Sequence, residues 1–434
     1  MQNYRTDRPA AIQIALLCTA IIAVQAVHAD EVPPVKAQSL ALNDAIEIAL
    51  GHSPELRAAE HRMQALGATV QQTRARPNPA LEAEVENFAG SGPLSGTDAA
   101  EYTVMVSQPF VLGGKRAHQT LLAELDGRLA QWTYESAKRD LVRSVGSAYA
   151  KVLEDQERVT LSIEWVRLSE ELVETAERRV RSGGASVLEQ TKAEIERAAS
   201  IANRESTKQG LIASQRRLGT LLGLDSAESV SATGDLFRLN ELPAFRDLKD
   251  QLPDNPDWAR SSVEMEQKEA AAELAEAQRV PDLDLGVGFR RDEGAEANAW
   301  IVSAGFPLPL FDRNEGARRA AEFELAAAAE EQRAVELGLE RELIGAYSNL
   351  SQAHSQAKAI SETILPAAKK AFGVSREGYL QGRFGYLDLL DAQRTLFETR
   401  TRQVEALRMY HQAVADVQRL TAGRSGLTQD IPEE

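Results

Sequence analysis

Four short stretches of the chain alternate apolar and polar residues with a period of two. Residues 80–88 and 101–108 form one pair, and residues 282–290 and 299–306 form a second pair. Successive side chains of a β-strand point to opposite faces, so this alternation predicts four strands that each have one apolar and one polar face. A loop joins the members of each pair, which predicts two hairpins. Each strand has about the nine to eleven residues that cross a bilayer when tilted.

Most of the remaining chain has helical periodicity. Residues 116–182 contain no proline, and as one helix this stretch would be about 100 Å long. A second long helix is predicted at 316–381, with a kink at Pro366. A glycine-containing turn follows each long helix, and a further helix is predicted after each turn, at about 186–222 and about 386–421.

The helix–hairpin–helix order occurs twice, and the prolines and glycines that separate its elements recur at matching positions. Pro54 and Pro256 lie 202 positions apart, and Gly183 and Gly382 lie 199 positions apart. Self-similarity at a fixed spacing indicates two copies of one structural unit. The predicted division is a signal peptide at 1–29, a first repeat at 30–222, a loop-rich insert at 223–253, a second repeat at 254–421 and a C-terminal tail at 422–434.

A shorter helical pattern opens the first repeat. Apolar residues recur on one helical face between positions 45 and 50, and Ser39 or Asn43 is the predicted N-cap. The residues before Ser39 show no periodic pattern. Pro54 separates this helix from a second one that ends near Arg76.

The first 29 residues have the pattern of a secretory signal. Arg5 and Arg8 precede an apolar run at 10–26, and the small residues at 27–29 predict cleavage before Asp30. The only cysteine, Cys18, lies in this run. It follows a leucine, which argues against lipid modification, so cleavage leaves a mature chain that can form neither disulfides nor cysteine sites.

Composition narrows the function classes. The net charge of −16 and the absence of a basic stripe argue against a nucleic-acid partner. The histidines and methionines are scattered, and no phosphate-binding, dinucleotide-binding, hydrolase or metalloprotease motif occurs. The sequence therefore predicts no metal site, no cofactor and no enzyme.

Four strands cannot close a membrane barrel, because small barrels need about eight. Open strand edges are not tolerated in lipid, since unpaired backbone groups there are costly. One such hairpin alone is more typical of a soluble protein, but two in matching places favour membrane strands contributed by several copies. Three copies give about twelve strands, while two or four copies remain open.

The alternation also assigns each strand face. The predicted lipid-facing residues are Leu81, Val85, Tyr102, Val104, Val106, Leu283, Leu285, Val287, Phe289, Trp300 and Val302. The predicted lumen-facing residues are Glu82, Glu84, Glu86, Asp284 and Arg290.

Three segments carry a resemblance to a known family. QPFVLGGKR at 108–116, PLPLFDRNEG at 307–316 and GYLDLLDAQRTL at 385–396 resemble the TolC-type outer-membrane efflux channels. Together with NFAGSGP at 87–93, they are most similar to the CzcC-like heavy-metal branch. The resemblance covers essentially the whole mature chain.

The resemblance implies an α+β membrane protein that acts as a passive duct. It implies a homotrimer with a 12-stranded β-barrel in the outer membrane of a Gram-negative bacterium, continued by a long periplasmic α-helical barrel. The implied partners are a periplasmic membrane fusion (adaptor) protein and an inner-membrane resistance–nodulation–division pump. The implied substrates are divalent cations such as cobalt, zinc and cadmium.

Two alternatives remain open at this point. One is a channel of the same family that serves drug efflux or type I protein secretion. The other is a periplasmic coiled-coil scaffold or adaptor, against which the lack of β-rich lipoyl-like segments counts.

The resemblance also implies a periplasmic gate. In the family, two aspartates narrow the aperture at the helix tips, and Asp388 and Asp391 match them here. Residues three apart share a helix face, so a trimer would present two rings of carboxylates, an arrangement that selects cations. The alternative is that the two aspartates pair with Arg394 or Arg383, or cap the helix.

The first repeat differs at the matching positions. Glu189 and Lys192 stand where the second repeat has the two aspartates. We hypothesise that Lys192 tethers a neighbouring acid and so holds the closed state.

Overall fold

The computed structural model describes residues 38–225 and 230–421. The predicted signal peptide with its cleavage site and Cys18 lies outside the described residues, and so does the predicted C-terminal tail. The described strands are β1 (Gln38–Leu40), β2 (Ala80–Glu86), β3 (Glu101–Phe110), β4 (Val230–Ala232), β5 (Leu283–Asp292) and β6 (Ala297–Gly305). The described helices are α1 (Leu42–His52), α2 (Pro54–Arg74), α3 (Lys115–Arg181), α4 (Val187–Leu221), α5 (Phe245–Lys249), α6 (Pro256–Ala277), α7 (Glu315–Ala359), α8 (Leu365–Leu380) and α9 (Tyr386–Leu420).

One antiparallel sheet contains both hairpins, in the order β2-β3-β5-β6. The β3–β5 pairing joins the two repeats and sets Val104 opposite Phe289 and Val106 opposite Val287. Phe289 in turn lies opposite Trp300 of β6. Directly opposed residues share a face. With this register, all eleven residues predicted to face lipid lie on one face, and all five predicted lumen residues lie on the other.

The long helices differ between the repeats. Helix α3 continues for 67 residues without interruption, which corresponds to about 100 Å. In the second repeat a π-helical turn, Ile360–Ile364, separates α7 from α8 where the sequence predicts a kink. Pro366 has no N–H to donate to a carbonyl one turn earlier, and a wider turn is a common response to such a lost bond.

The structure corrects the predicted start of the first repeat. Residues 38–40 form β1, which pairs in parallel with β4 of the insert. Helix α1 has Ala41 at its N-cap, and neither Ser39 nor Asn43 holds that position. The Asp44 carboxylate accepts a hydrogen bond from the Ala41 N–H at 3.3 Å. This bond is the half of a capping box that the third helical residue contributes, and the N-cap residue itself provides no side-chain cap.

The hydrophobic cores lie where short elements cover the long helices. One core packs α1, β1 and β4 against the middle of α3 around Val145, Tyr149 and Leu218. Another packs the insert against α7 and α9, with Leu248, Leu343, Leu350, Tyr410 and Val417 buried. The insert is therefore anchored on the helices of the second repeat and also supplies a strand to the first.

The sheet meets the helices at a tight turn between β3 and α3. Asp282 accepts hydrogen bonds there from the Leu112 N–H at 3.0 Å and from the Lys115 ammonium at 2.7 Å. Gly113 adopts a φ of +71°, and a Cβ at this position would lie 2.8 Å from the Val280 Cβ. Both the backbone angle and the space at this position therefore require glycine.

We expect Gly113→Ala to destabilise the protein by about 1–3 kcal/mol, because the substitution adds left-handed strain and a steric clash. Gly127→Ala is the matched control, since the added methyl group meets nothing within 4 Å inside α3. That control should be neutral or stabilising by up to about 1 kcal/mol. Thermal unfolding followed by circular dichroism in detergent measures both, and an equal midpoint for the two variants would contradict the assignment.

Candidate functional site

The two helix tips have the same turn geometry. Gly183 and Gly382 both adopt left-handed conformations, with φ of +75° and +73°. In the first turn the Gly184 N–H donates to the Arg179 carbonyl at 2.8 Å, and in the second the Arg383 N–H donates to the Gly378 carbonyl at 2.8 Å. These bonds satisfy the last carbonyls of α3 and α8, so glycine is required at the left-handed position of each turn.

The helices that begin after these turns are capped differently. In the first repeat the Ser186 hydroxyl accepts the Glu189 N–H at 3.3 Å. In the second repeat Gly385 has no side chain to offer, and the Asp388 carboxylate accepts the Gly385 N–H at 3.0 Å. Asp388 is therefore a capping residue of α9, which agrees with one part of the alternative weighed from the sequence.

Asp391 lies one turn further along α9 and is exposed. It makes no hydrogen bond or ion pair with any residue that the structure describes. Arg394, an alternative partner from the sequence, pairs instead with Glu196 of α4 at 2.6 Å. Arg383, the other partner suggested by the sequence, forms no ion pair with Asp388 or Asp391 within the described chain. Asp388 and Asp391 thus share one exposed helix face, and only Asp388 is used to stabilise the fold.

The corresponding residues of the first repeat are half-buried. One carboxylate oxygen of Glu189 is buried without a hydrogen-bond partner among the described residues. Lys192 forms no ion pair within that part of the chain, so the hypothesis that it tethers an acid stays a hypothesis.

Two tyrosines fill the space beneath the tips. Tyr379 and Tyr386 are 1% and 2% exposed, and their rings meet edge to face at 5.9 Å. Burial, reinforced by the nearby Glu196 carboxylate, raises the pKa of Tyr386 to about 12. The phenol therefore stays neutral at physiological pH, and its hydroxyl has no hydrogen-bond partner among the described residues.

An arginine missed by the sequence analysis ties the two tips together. The Arg179 guanidinium donates to the Tyr379 carbonyl at 2.7 Å and to the Gly184 carbonyl at 3.1 Å. It also lies over the Tyr379 ring at 4.3 Å. A cation in the last turn of a helix is common, so its position alone does not distinguish Arg179 from neighbouring surface arginines.

The polar face of the sheet contains a second charged cluster. Arg290 donates to Glu101 at 2.8 Å and to the Thr103 hydroxyl at 3.0 Å, and it lies 3.5 Å from Glu86. Glu82 and Glu84 are exposed on the same face. Arg290 and the three glutamates of β2 are among the residues predicted from the sequence to face the lumen. Glu101 is not among them, because it is the first residue of its strand.

Two features are absent from residues 38–225 and 230–421. None of the helices there has an apolar stretch that is long enough to span a membrane. No group of three or more His, Cys, Asp or Glu side chains that could hold a metal ion occurs in these ranges.

The model of the family described as "Outer membrane efflux protein" matches residues 45–224 and 248–423. The chain belongs to this family. It is therefore an outer-membrane efflux channel protein, not an enzyme, and the scaffold or adaptor alternative is wrong. The resemblance to TolC-type channels is confirmed.

Named relatives place the chain near metal-resistance proteins. The chain is 32% identical over 388 residues to the cobalt-zinc-cadmium resistance protein CzcC of Cupriavidus metallidurans, covering 89% of this chain and 91% of that protein. It is 26% identical to the nickel-cobalt-cadmium resistance protein NccC of Alcaligenes xylosoxydans xylosoxydans, covering 73% and 69%. The resemblance to the CzcC-like branch is thus supported over most of the chain.

Solved structures show the same fold. The channel protein CusC superposes with a TM-score of 0.75 at 18% identity, covering 88% of this chain and 92% of that one. The outer membrane protein VceC of Vibrio cholerae superposes with a TM-score of 0.72 at 20% identity, covering 87% and 95%.

The different uses of the two aspartates lead to a stability prediction. Asp388→Ala should destabilise the protein by about 0.5–2 kcal/mol, because α9 loses the carboxylate that accepts the Gly385 N–H and complements the positive N-terminal end of the helix. Asp391→Ala is the matched control on the same face and should change stability by less than about 0.5 kcal/mol. Thermal unfolding of the purified protein measures both, and equal losses would show that the cap does not stabilise α9.

Proposed function

We propose that this protein is the outer-membrane duct of a tripartite efflux system that exports divalent heavy-metal cations such as cobalt, zinc and cadmium. The observation that carries the substrate class is the 32% identity to a cobalt-zinc-cadmium resistance protein over about nine-tenths of both chains. In the proposed system an inner-membrane resistance–nodulation–division pump supplies the energy, and a periplasmic adaptor joins the pump to the duct.

The proposed assembly is a homotrimer. In one chain β2 and β6 are the outer strands of the four-stranded sheet, so each has one edge that no other strand among residues 38–225 and 230–421 pairs. Lipid does not tolerate such edges. Pairing β6 of one copy with β2 of the next removes every edge, and three copies form a 12-stranded barrel. The long helices would then continue the barrel into the periplasm as an α-helical tube.

The separation of apolar and charged side chains between the two faces of the sheet supports a proposal for which face lines the lumen. In the barrel we propose, the face with Leu81, Val104 and Phe289 contacts lipid, because its exposed side chains are large and apolar. The opposite face then lines the lumen. The predicted lumen residues Glu82, Glu84, Glu86, Asp284 and Arg290 lie on this face together with Glu101 and Asp292. Arg290 is partly neutralised by Glu86 and Glu101. The remaining carboxylates favour cations in the lumen.

We propose that the periplasmic aperture is narrowed by Asp388 and Asp391, with Glu189 and Lys192 on the adjacent tip. Asp391 is exposed and has no partner within the described chain, so its carboxylate is free to bind a cation. The Asp388 carboxylate already accepts a hydrogen bond from the Gly385 N–H, so it would bind a cation more weakly than Asp391. Rings of carboxylates at a constriction attract and retain multivalent cations.

Growth of a deletion strain tests the substrate class. Loss of the gene should raise sensitivity to cobalt, zinc and cadmium salts, and a plasmid copy should restore resistance. Sensitivity to drugs with unchanged metal resistance would favour a drug-efflux channel. Loss of a secreted protein alone would favour a secretion channel, and either result would overturn the metal assignment.

Planar-bilayer recording tests the aperture. Asp391→Asn should weaken blockade by trivalent cations added from the periplasmic side by about tenfold or more, because one ring of three carboxylates loses its charge. Glu84→Gln is the control in the proposed lumen: it should lower cation selectivity and leave the blockade unchanged. If Asp391→Asn channels block like the wild type, the aperture lies elsewhere.

A further inference from the structure

An exposed apolar segment joins the last strand of the sheet to the helices. This β6–α7 segment, FPLPLF at 306–311, contains Phe306, Leu308, Leu310 and Phe311. Their side chains are between 58% and 100% exposed, and Phe311 is the most exposed of them. Single exposed apolar residues are common, but four large ones within six positions form the kind of patch that contacts a partner or a membrane.

The matching junction in the first repeat packs against the chain. There the Leu112 N–H donates to Asp282 at 3.0 Å, and Gly113 lies close to Val280, so the residues between β3 and α3 contact those just before β5. In the second repeat the Asn314 side chain donates to the Ala275 carbonyl at 2.8 Å, which fixes the start of α7 on α6. The β6–α7 segment is thus held at both ends while its apolar side chains remain exposed.

The segment lies at the end of the sheet where the long helices begin. Strand β6 ends at Gly305, α7 begins at Glu315, and β3 leads into α3 at the same end. In the proposed duct the helices extend into the periplasm, so this is the periplasmic end of the barrel. Trp300 and Val302, on the apolar face of β6, lead directly to the segment.

The apolar face of the sheet is short for a membrane band. On β5 it extends from Leu283 to Phe289, and six residues of strand span about 20 Å. A strand tilt of about 40° reduces this to about 15 Å across the membrane, whereas the apolar band of an outer-membrane barrel is about 25 Å tall. The next residue on this face beyond Phe289 is the charged Arg291. Further apolar surface is therefore needed at the periplasmic end, where the β6–α7 segment lies.

The backbone of the segment is suited to a region with little water. Pro307 and Pro309 have no N–H, and the Leu310 N–H donates to the Leu308 carbonyl at 2.8 Å. Unpaired backbone groups are costly in hydrocarbon, so this segment can enter the boundary between headgroups and acyl chains at a lower cost than an ordinary loop. Its carbonyl groups still need water, which excludes the centre of the bilayer.

Charged residues follow where the apolar segment ends. Asp312 accepts the Asn314 N–H at 2.9 Å. Arg313 is exposed and forms no ion pair with any residue that the structure describes. A guanidinium beside an apolar segment can bind phospholipid phosphates while the apolar side chains lie among the acyl chains. The order from β6 towards α7, first apolar and then cationic, is the order expected at the surface of a membrane.

A second copy of the chain is a less suitable partner for the segment. In the proposed barrel β6 pairs with β2 of the next copy, and the residues just before β2 are RPNP at 76–79. None of these four residues has a large apolar side chain that could cover Leu310 or Phe311. Phospholipid, which contacts the adjoining face of β6 in the proposed barrel, is therefore the partner that the patch fits.

We propose that the β6–α7 segment binds the periplasmic leaflet of the outer membrane, with Leu308, Leu310 and Phe311 at the boundary of headgroups and acyl chains and Arg313 at the phosphates. Interfacial apolar groups of this kind lie about 5–10 Å into that boundary. The segment lengthens the apolar band where the strands alone are short, and it fixes the height of the channel in the membrane. This inference rests on the proposed function, in which the apolar face of the sheet contacts lipid.

Depth-dependent fluorescence quenching tests the contact. In a Cys18→Ser background, Phe311→Cys, Val302→Cys and Phe323→Cys are each labelled with a nitrobenzoxadiazole fluorophore. The full-length protein is then reconstituted in vesicles of phosphatidylcholine and phosphatidylglycerol that carry a nitroxide either at the headgroup or deep in the acyl chain. Phe323 is the matched control, because it is 76% exposed but lies eight residues inside α7, about 12 Å beyond the start of that helix.

The three labels should respond differently. The headgroup nitroxide should quench the Phe311 label about threefold more strongly than the Phe323 label, because only Phe311 lies at the interface. The deep nitroxide should act mainly on the Val302 label, since that residue lies on the lipid-facing side of β6.

Arg313→Glu tests the electrostatic part. In these anionic vesicles it should lower the headgroup quenching of the Phe311 label about twofold, because the new carboxylate is repelled by phosphatidylglycerol. Arg333→Glu is the matched control: Arg333 is also exposed and without an ion pair in the described chain, but it lies further along α7. Equal effects of the two substitutions would overturn the role assigned to Arg313.

Three results at Phe311 would overturn the proposal. The first is lipid quenching no stronger than at Phe323, and the second is deep quenching as strong as at Val302. The third is protection from both nitroxides and from aqueous iodide, which would assign the segment to a contact between copies. If the Val302 label also escapes quenching, the lipid-facing sheet of the proposed function is wrong, whereas failure at Phe311 alone leaves that function standing.

Discussion

The pairing of β3 with β5 is the contact on which the architecture depends. It joins the hairpins of the two repeats into one sheet, and its register makes the apolar faces of both hairpins coincide. A slip of one residue would turn every side chain of one hairpin to the opposite face. Val104 would then lie opposite Gly288 or Arg290 in place of Phe289, and the sheet would have no continuous apolar surface. Gly288 favours the observed register, because a Cβ there would lie 2.9 Å from the Val104 carbonyl oxygen.

Polar links between the repeats are concentrated on the long helices. Glu154 of α3 is buried and lies within 3.2 Å of Lys151, Arg158 and Arg408, the last of these on α9. Such a buried cluster is sensitive to the loss of any partner, since an unpaired buried charge is costly. Towards the tips, α3 and α9 are linked again by Glu164 and Arg400. Different contacts therefore hold the helices together in the middle and at the tips. The tips have their own hydrophobic core around Tyr379 and Tyr386.

The elements that could be predicted from the sequence are those whose pattern depends on residues close together in the chain. Alternation in the hairpins, the proline-free stretch before Gly183 and the paired prolines of the repeats each depend on nearby residues, and the family resemblance followed from short motifs beside these elements. The missed features depend on distant partners. The three-residue β1 becomes a strand only through β4, nearly two hundred positions away. Arg179 and Glu196 look like ordinary helix-surface residues until the second repeat packs against them.

The asymmetry between the two tips follows from one missing side chain. Ser186 caps the first-repeat helix, so Glu189 is not needed for that purpose. Gly385 has no side chain that could accept such a bond, and the Asp388 carboxylate instead accepts the N–H of Gly385 itself. A carboxylate in the first turn of a helix contributes about 0.3–1 kcal/mol, and a bound cation would have to compete with that interaction. In the proposed gate the two aspartate rings are therefore not equivalent: the ring of Asp391 can bind a cation without weakening α9, whereas the ring of Asp388 cannot.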